Sequence, residues 1–381
     1  MTTGGRRKIE ELESIRGVAA LLVVFYHMPI WHGALYGLNL VRNSYLMVNL
    51  FFVLSGFVIN LNYGARIRSA AELVRFQLLR FGRLYPVHFV FLMIYLLLEV
   101  LKWQAARKYN VPLPNGRPFE VNSGTGFVEQ LFLVQALGTD NAHSFNGPSW
   151  SISVEFYTYL AFALVCLAVA AANFRNAVFA LLGIGCTVVL IVFGDAVGNF
   201  SFILQGGAGF FIGCATAAIS ARITRTMSPL WATALVVGLL LFLCLKTGER
   251  YDWLAAVISA AMIIAIVHAR EGLFRRALRA RPLEYLGLIS YSVYMSHGFV
   301  LWSCNQFVRV ILKRPERVVA GFNVPQLSLA QACIGYVMVI IITLLVSTVS
   351  FRLIEDPARR KSRELLLGRK PAGPSPMPIA P

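Results

Sequence analysis

The chain has 381 residues, of which 57% are hydrophobic and only 14% charged. Apolar runs of about seventeen residues or more recur along its length, which excludes a soluble domain and predicts an all-α polytopic membrane protein, a bundle of about ten transmembrane helices. The net charge of +17 suggests nucleic acid, but 22 basic residues fall in alternate connections counted from the N-terminus and eight in the opposite ones. That asymmetry is the mark of a membrane protein with both termini in the cytoplasm, and it removes nucleic acid as a partner.

Ten spans are predicted, at about 12–30, 46–62, 86–104, 150–172, 177–193, 200–220, 230–246, 252–268, 286–312 and 329–354. Residues 1–11 then form a cytoplasmic N-terminal segment, 12–360 one integral-membrane domain, and 361–381 a disordered cytoplasmic tail, too rich in proline beyond Lys370 to fold. Arg6-Arg7-Lys8 ahead of an apolar stretch resembles a signal peptide, but no small-residue cleavage pattern follows, so the first helix is expected to be retained. The six cysteines lie in apolar runs without metal-ligand spacing, no metal site is expected, and they read as small packing residues.

The first span carries Arg16 and His27. Eleven residues advance a helix by about 16 Å and bring both side chains within roughly 20° of one face. Ionisable groups at such depth usually mark function, although Arg16 snorkelling to headgroups and His27 bonded in the interior is the plainer alternative. In the second span Ser55 and Gly56 allow another helix to approach closely. Arg80 and Arg83, three residues apart ahead of the third span, share a helical face, and two guanidiniums suit phosphate groups as well as anionic lipid.

The long connection 105–149 contains an apolar stretch, Phe127 to Leu137, expected to form a re-entrant or interfacial helix. The fourth span opens at Trp150, Ser151 and Ser153, with Glu155 about 7 Å below its start and Tyr157 beyond. His27 lies at a similar depth, about 4 to 5 Å from the outer end of its own helix. Depth therefore predicts that the Glu155 carboxylate orients the His27 imidazole, as a general base requires. Favouring its own helix N-terminus is the alternative role for Glu155. Tyr294 and His297 share a face of the ninth span, and either line a substrate cavity or bond within the bundle. Glu355, Asp356, Arg359 and Arg360 read as a structural stop at the cytoplasmic face.

Taken together, these segments resemble the acyltransferase-3 family of bacterial membrane O-acyltransferases from about Leu12 to Arg360. The matching pieces are the Arg16 to His27 spacing, Phe51 to Phe57, Arg80 to Pro86, Pro148 to Glu155, Leu286 to Tyr294 and Glu355 to Arg360, in that order. The resemblance implies ten membrane helices in the bacterial inner membrane, an acyl-CoA donor taken from the cytoplasm, and acylation of a saccharide hydroxyl. It implies roles for Arg16, His27, Glu155 and the arginines ahead of the third helix. Many members carry Trp-His where this chain has Ser296-His297, which weakens the case for His297. Some carry an extra hydrolase-like domain; a single-component enzyme is expected here.

The expected mechanism docks the CoA phosphates, most simply those of acetyl-CoA, near Arg16, Arg80 and Arg83, with no permanently bound cofactor. The thioester then reaches His27, held by Glu155, which removes the acceptor proton. Trp150, Ser153, Tyr157, Tyr294 and His297 are the candidate substrate-binding residues, and Ser151, Ser153 and Tyr157 the candidate oxyanion donors. Exopolysaccharide, lipopolysaccharide O-antigen, a lipid-linked sugar or a glycosylated metabolite would serve as acceptor. A transporter or flippase for a glycan or lipid precursor is the rival from another class.

Overall fold

The structure, a computed structural model, describes residues 9–109, 116–319 and 321–368. Apart from single turns, its helices are α1 (Glu10–Tyr26), α2 (Met47–Tyr63), α3 (Ala70–Tyr109), the short α4 (Gly124–Phe132), α5 (Trp150–Ala168), α6 (Ala172–Phe193) and α7 (Ser201–Ser220). They continue with α8 (Pro229–Leu245), α9 (Trp253–His268), the short α10 (Leu273–Leu278), α11 (Arg281–Gln306), α12 (Leu329–Ser350) and α13 (Asp356–Leu367). Ten of these have sixteen residues or more, and each overlaps one predicted span. The protein is an all-α polytopic membrane protein; among the described residues five stretches are long and apolar enough to cross a bilayer, with α8 and α9 as shorter apolar helices. An antiparallel hairpin of β1 (Glu316–Val319) and β2 (Phe322–Pro325), pairing Glu316 with Pro325, joins α11 to α12; the sequence had not suggested it.

Two boundaries differ from expectation. The third span begins at Ala70 rather than 86, because α3 runs unbroken through Pro86. Proline removes one backbone bond and crowds the carbonyl four residues earlier, a defect that membrane helices tolerate when neighbours compensate. The arginines therefore stand on the same rod as the span they precede. At the other end α13 runs to Leu367, so 361–367 is helical rather than disordered, and the tail beyond Gly368 lies outside the described residues. Gly82 of α3 admits this helix, since a Cβ there would overlap the Ser362 hydroxyl.

Glycine sets the closest packing. A Cβ on Gly56 would overlap the Phe210 carbonyl, so α2 and α7 meet backbone to backbone, as the Ser55-Gly56 pair suggests. Helices α1 and α11 meet likewise: a Cβ on Gly17 would lie 2.6 Å from the Gly287 nitrogen. The N-terminal end of α1 is also tied to α10, just ahead of α11, by Glu11, which is 1% exposed and takes Arg275 at 2.6 Å and Arg279 at 2.7 Å.

The apolar stretch of the long connection begins in α4, which ends at Phe132 with Leu133 as its cap, where carbonyls run out of helical donors. Four successive ones are met by side chains: Gln130 by His88 at 2.9 Å, Leu131 by Tyr85 at 3.0 Å, Phe132 by Tyr157 at 3.1 Å, and Leu133 by Ser153 at 2.5 Å. These four from α3 and α5 dock the end of α4 against the bundle. Tyr157→Phe should accordingly lower stability by about 1 kcal/mol, one neutral hydrogen bond. Thermal unfolding in detergent checks it; an unchanged midpoint would mean that the Phe132 carbonyl finds another donor.

Candidate active site

Two cavities lie within the bundle and share Val48 and Tyr294 as a wall. The smaller, about 80 Å³, is lined by Arg16 of α1, Ser55 of α2, Arg80 and Arg83 of α3, Glu155 of α5 and Tyr291 of α11. Three guanidiniums that the sequence places on two helices thus converge. Arg80 is 5% exposed and packed among the rings of Tyr63, Phe76 and Tyr159 at 5.5 to 5.8 Å. Arg16 reaches Glu13 at 3.3 Å. Arg83 forms no close ion pair or hydrogen bond among the described residues, the carboxylates of Glu13, Glu155 and Glu355 acting on it from farther off, so its donors can turn to a ligand.

The larger cavity, about 1220 Å³, is lined by His27, Asn49, His143, Trp150, Gln205 and Asp252 among others. His27 stands just past the end of α1, exposed to this space. Its Nδ1 lies 2.9 Å from the Val23 carbonyl and 3.3 Å from Nε2 of His297. His297, wholly buried, turns its own Nδ1 to the Tyr294 carbonyl at 2.7 Å.

Glu155 does not orient His27. Its carboxylate accepts hydrogen bonds from Ser55 at 2.7 Å and from Tyr159, and it faces the arginine cavity. Matching depth left the direction around the helix undetermined, and α5 turns Glu155 toward α2. Ser153 and Tyr157 line neither cavity, because both hydroxyls are committed to the carbonyls of α4, which corrects their reading as substrate or oxyanion residues. Trp150 does line the larger cavity. Tyr294 separates the two spaces, donating to the Pro148 carbonyl at 2.9 Å and accepting from Ser151 at 2.8 Å.

The cluster read as a structural stop divides. Asp356 binds Arg359 and Arg360, each at 2.7 Å, as a stop should. Glu355 is instead 3% exposed and accepts from Ser292 of α11 at 2.7 Å, at the end of a π-helical turn that rotates it inward. Asn49 and Gln205 escaped the sequence reading because each sits alone in an apolar run, and His143 because it lies in the polar connection ahead of α5.

Residues 9–348 match the acyltransferase domain of the acyltransferase-3 family. YrhL of Bacillus subtilis (strain 168), whose name marks it as a candidate peptidoglycan O-acetyltransferase, is 25% identical across 94% of this chain and 56% of its own length. The acyltransferase MdmB of Streptomyces mycarofaciens is 27% identical across 67% of this chain and 68% of its own. A short relative, protein 2 in the picA locus of Rhizobium radiobacter, is 42% identical over 78 residues, 20% of this chain. The chain thus spans about half the length of the first of these relatives. No solved structure matches it. With nearly the whole bundle inside the match, including both cavities and Arg16, His27, Arg80, Arg83 and His297, the chain belongs to the acyltransferase-3 family.

Proposed function

We propose that this protein is a membrane O-acyltransferase that takes an acyl group, most simply acetyl, from cytoplasmic acyl-CoA and transfers it to a saccharide hydroxyl. The observation that carries the reading is the convergence of Arg16, Arg80 and Arg83 on one cavity, about 16 Å along α1 from an imidazole open to a second cavity. A CoA molecule has this layout, with phosphates at one end and a thioester at the end of an extended arm.

The guanidiniums hold the phosphates through forked, charge-assisted donors. Ser55 and Glu155, which line the same cavity as the arginines and Tyr294, face the polar part of the arm. The acceptor occupies the larger cavity. Nε2 of His27 takes the hydroxyl proton as that oxygen attacks the thioester carbonyl; the carbon–sulfur bond breaks, and the departing thiolate recovers the proton from His27. Tyr294 must move aside for the thioester to reach the imidazole, since its ring stands between the cavities. The name of the YrhL relative supports O-acetylation of an envelope saccharide as the reaction.

Incubating the purified protein in nanodiscs with radiolabelled acetyl-CoA and extracted envelope glycans tests the proposal. Label transferred to glycan supports it; absence of both acetyl-CoA binding and transfer, with glycan accumulation in vesicles instead, would favour the transporter. Arg83→Ala should raise KM for acetyl-CoA about 10- to 100-fold, the loss of a charged hydrogen-bonding group. Arg83→Lys should recover only part of this, because an ammonium lacks the fork. An unchanged KM would remove Arg83 from the donor site.

A further inference from the structure

We infer that His297 is the positioning residue for His27, doing through a second imidazole what a carboxylate does in familiar catalytic triads. The inference rests on the reading of His27 as the base, and it assigns which nitrogen is the base. His297 turns Nδ1 to the Tyr294 carbonyl, an acceptor without a proton, so this nitrogen carries the N–H. A neutral imidazole has one N–H, so Nε2 of His297 is a lone pair. That lone pair faces Nδ1 of His27, as does the Val23 carbonyl. Two acceptors converge on Nδ1 of His27, which must therefore be protonated, and Nε2 of His27 becomes the free lone pair on the cavity side.

The partnership is built into the helix packing. Gly17 and Gly287 touch backbone to backbone, and counting ten residues onward along each helix reaches His27 and His297. Because α1 and α11 run parallel there, one glycine contact fixes the register of the two rings, whose centroids lie 4.9 Å apart. His297 is wholly buried among Val293, Leu301 and the α1 face, so it cannot swing away to solvent. When His27 gains a proton at Nε2, its Nδ1–H becomes a stronger donor, and the His297 lone pair is placed to receive that bond.

The test reads the ring nitrogens and needs no acceptor. With six histidines in the chain, ¹⁵N-histidine labelling of the protein in micelles resolves their tautomers. His27 should show a protonated Nδ1 and a bare Nε2. In His297→Phe the competing Nε2–H form of His27 should rise about fivefold, the weight of one neutral hydrogen bond, whereas His297→Gln, whose side-chain oxygen can accept, should keep the native form. An Nε2–H tautomer in the native protein overturns the assignment from its spectrum alone, even if the variants fold poorly. A His297→Phe spectrum identical to the native one shows that the Val23 carbonyl suffices and overturns the role of His297. If the tautomers are as expected and acetyl transfer is absent, the acyltransferase reading and the catalytic sense of the pair fail, while the hydrogen-bonded arrangement of the two imidazoles stands.

Discussion

Replacing His27 with alanine should reduce acyl transfer by about 10²- to 10⁴-fold, the range contributed by a positioned general base, while KM for acetyl-CoA changes little. The split follows from geometry. His27 lines the larger cavity and the arginines the smaller, with Tyr294 between, so deleting the imidazole leaves the phosphate-binding end intact. The fold should also survive, because His27 is exposed to the cavity and lies just past the end of α1. Initial rates of transfer from acetyl-CoA, measured beside detergent-solubilised yield, check both halves. Transfer above about a tenth of the native rate would be too fast for a missing base and would take His27 out of the mechanism.

The sequence carried much of this layout, and its failures have identifiable causes. Hydropathy located the ten long helices because lipid imposes the same demand on each of them. The Arg16 to His27 spacing and the Arg80, Arg83 pair were legible because each depends on a single helix, whose rise and turn are known in advance. The pairing of Glu155 with His27 depended on two helices, and depth alone does not fix the way each one is turned. Ser153 and Tyr157 looked like site residues because they neighbour Glu155, yet the carbonyls they satisfy, Leu133 and Phe132 at the end of α4, lie far upstream, and those bonds appear only once α4 is docked against α5. His297 meets a partner 270 residues away, and the register that joins them comes from a glycine contact. Gly17 and Gly287 are visible in the sequence, but nothing there says they face each other.

That contact yields the second large effect. Gly287→Ala should destabilise the protein and lower acyl transfer together, although the added methyl lies about 15 Å along the helix from His297. A Cβ at Gly287 would overlap the Glu13 carbonyl, which is backbone and cannot rotate away. Alanine is the better helix former by about 1 kcal/mol, so the outcome depends on which effect wins. Overpacking of this kind costs about 1 to 3 kcal/mol and forces α1 and α11 apart, which outweighs the propensity gain. The same displacement carries His27 away from His297, and a shift of about 1 Å at a catalytic group can cost about 10²-fold in rate. Gly185→Ala supplies the contrast: nothing lies within 4 Å of its added Cβ, so only the propensity gain remains and the melting temperature should hold or rise. Thermal unfolding and transfer rates for the two variants decide the matter. A Gly287→Ala protein as stable and as active as the native one would mean that α1 and α11 can separate freely, and the register that brings the two imidazoles together would lose its physical basis.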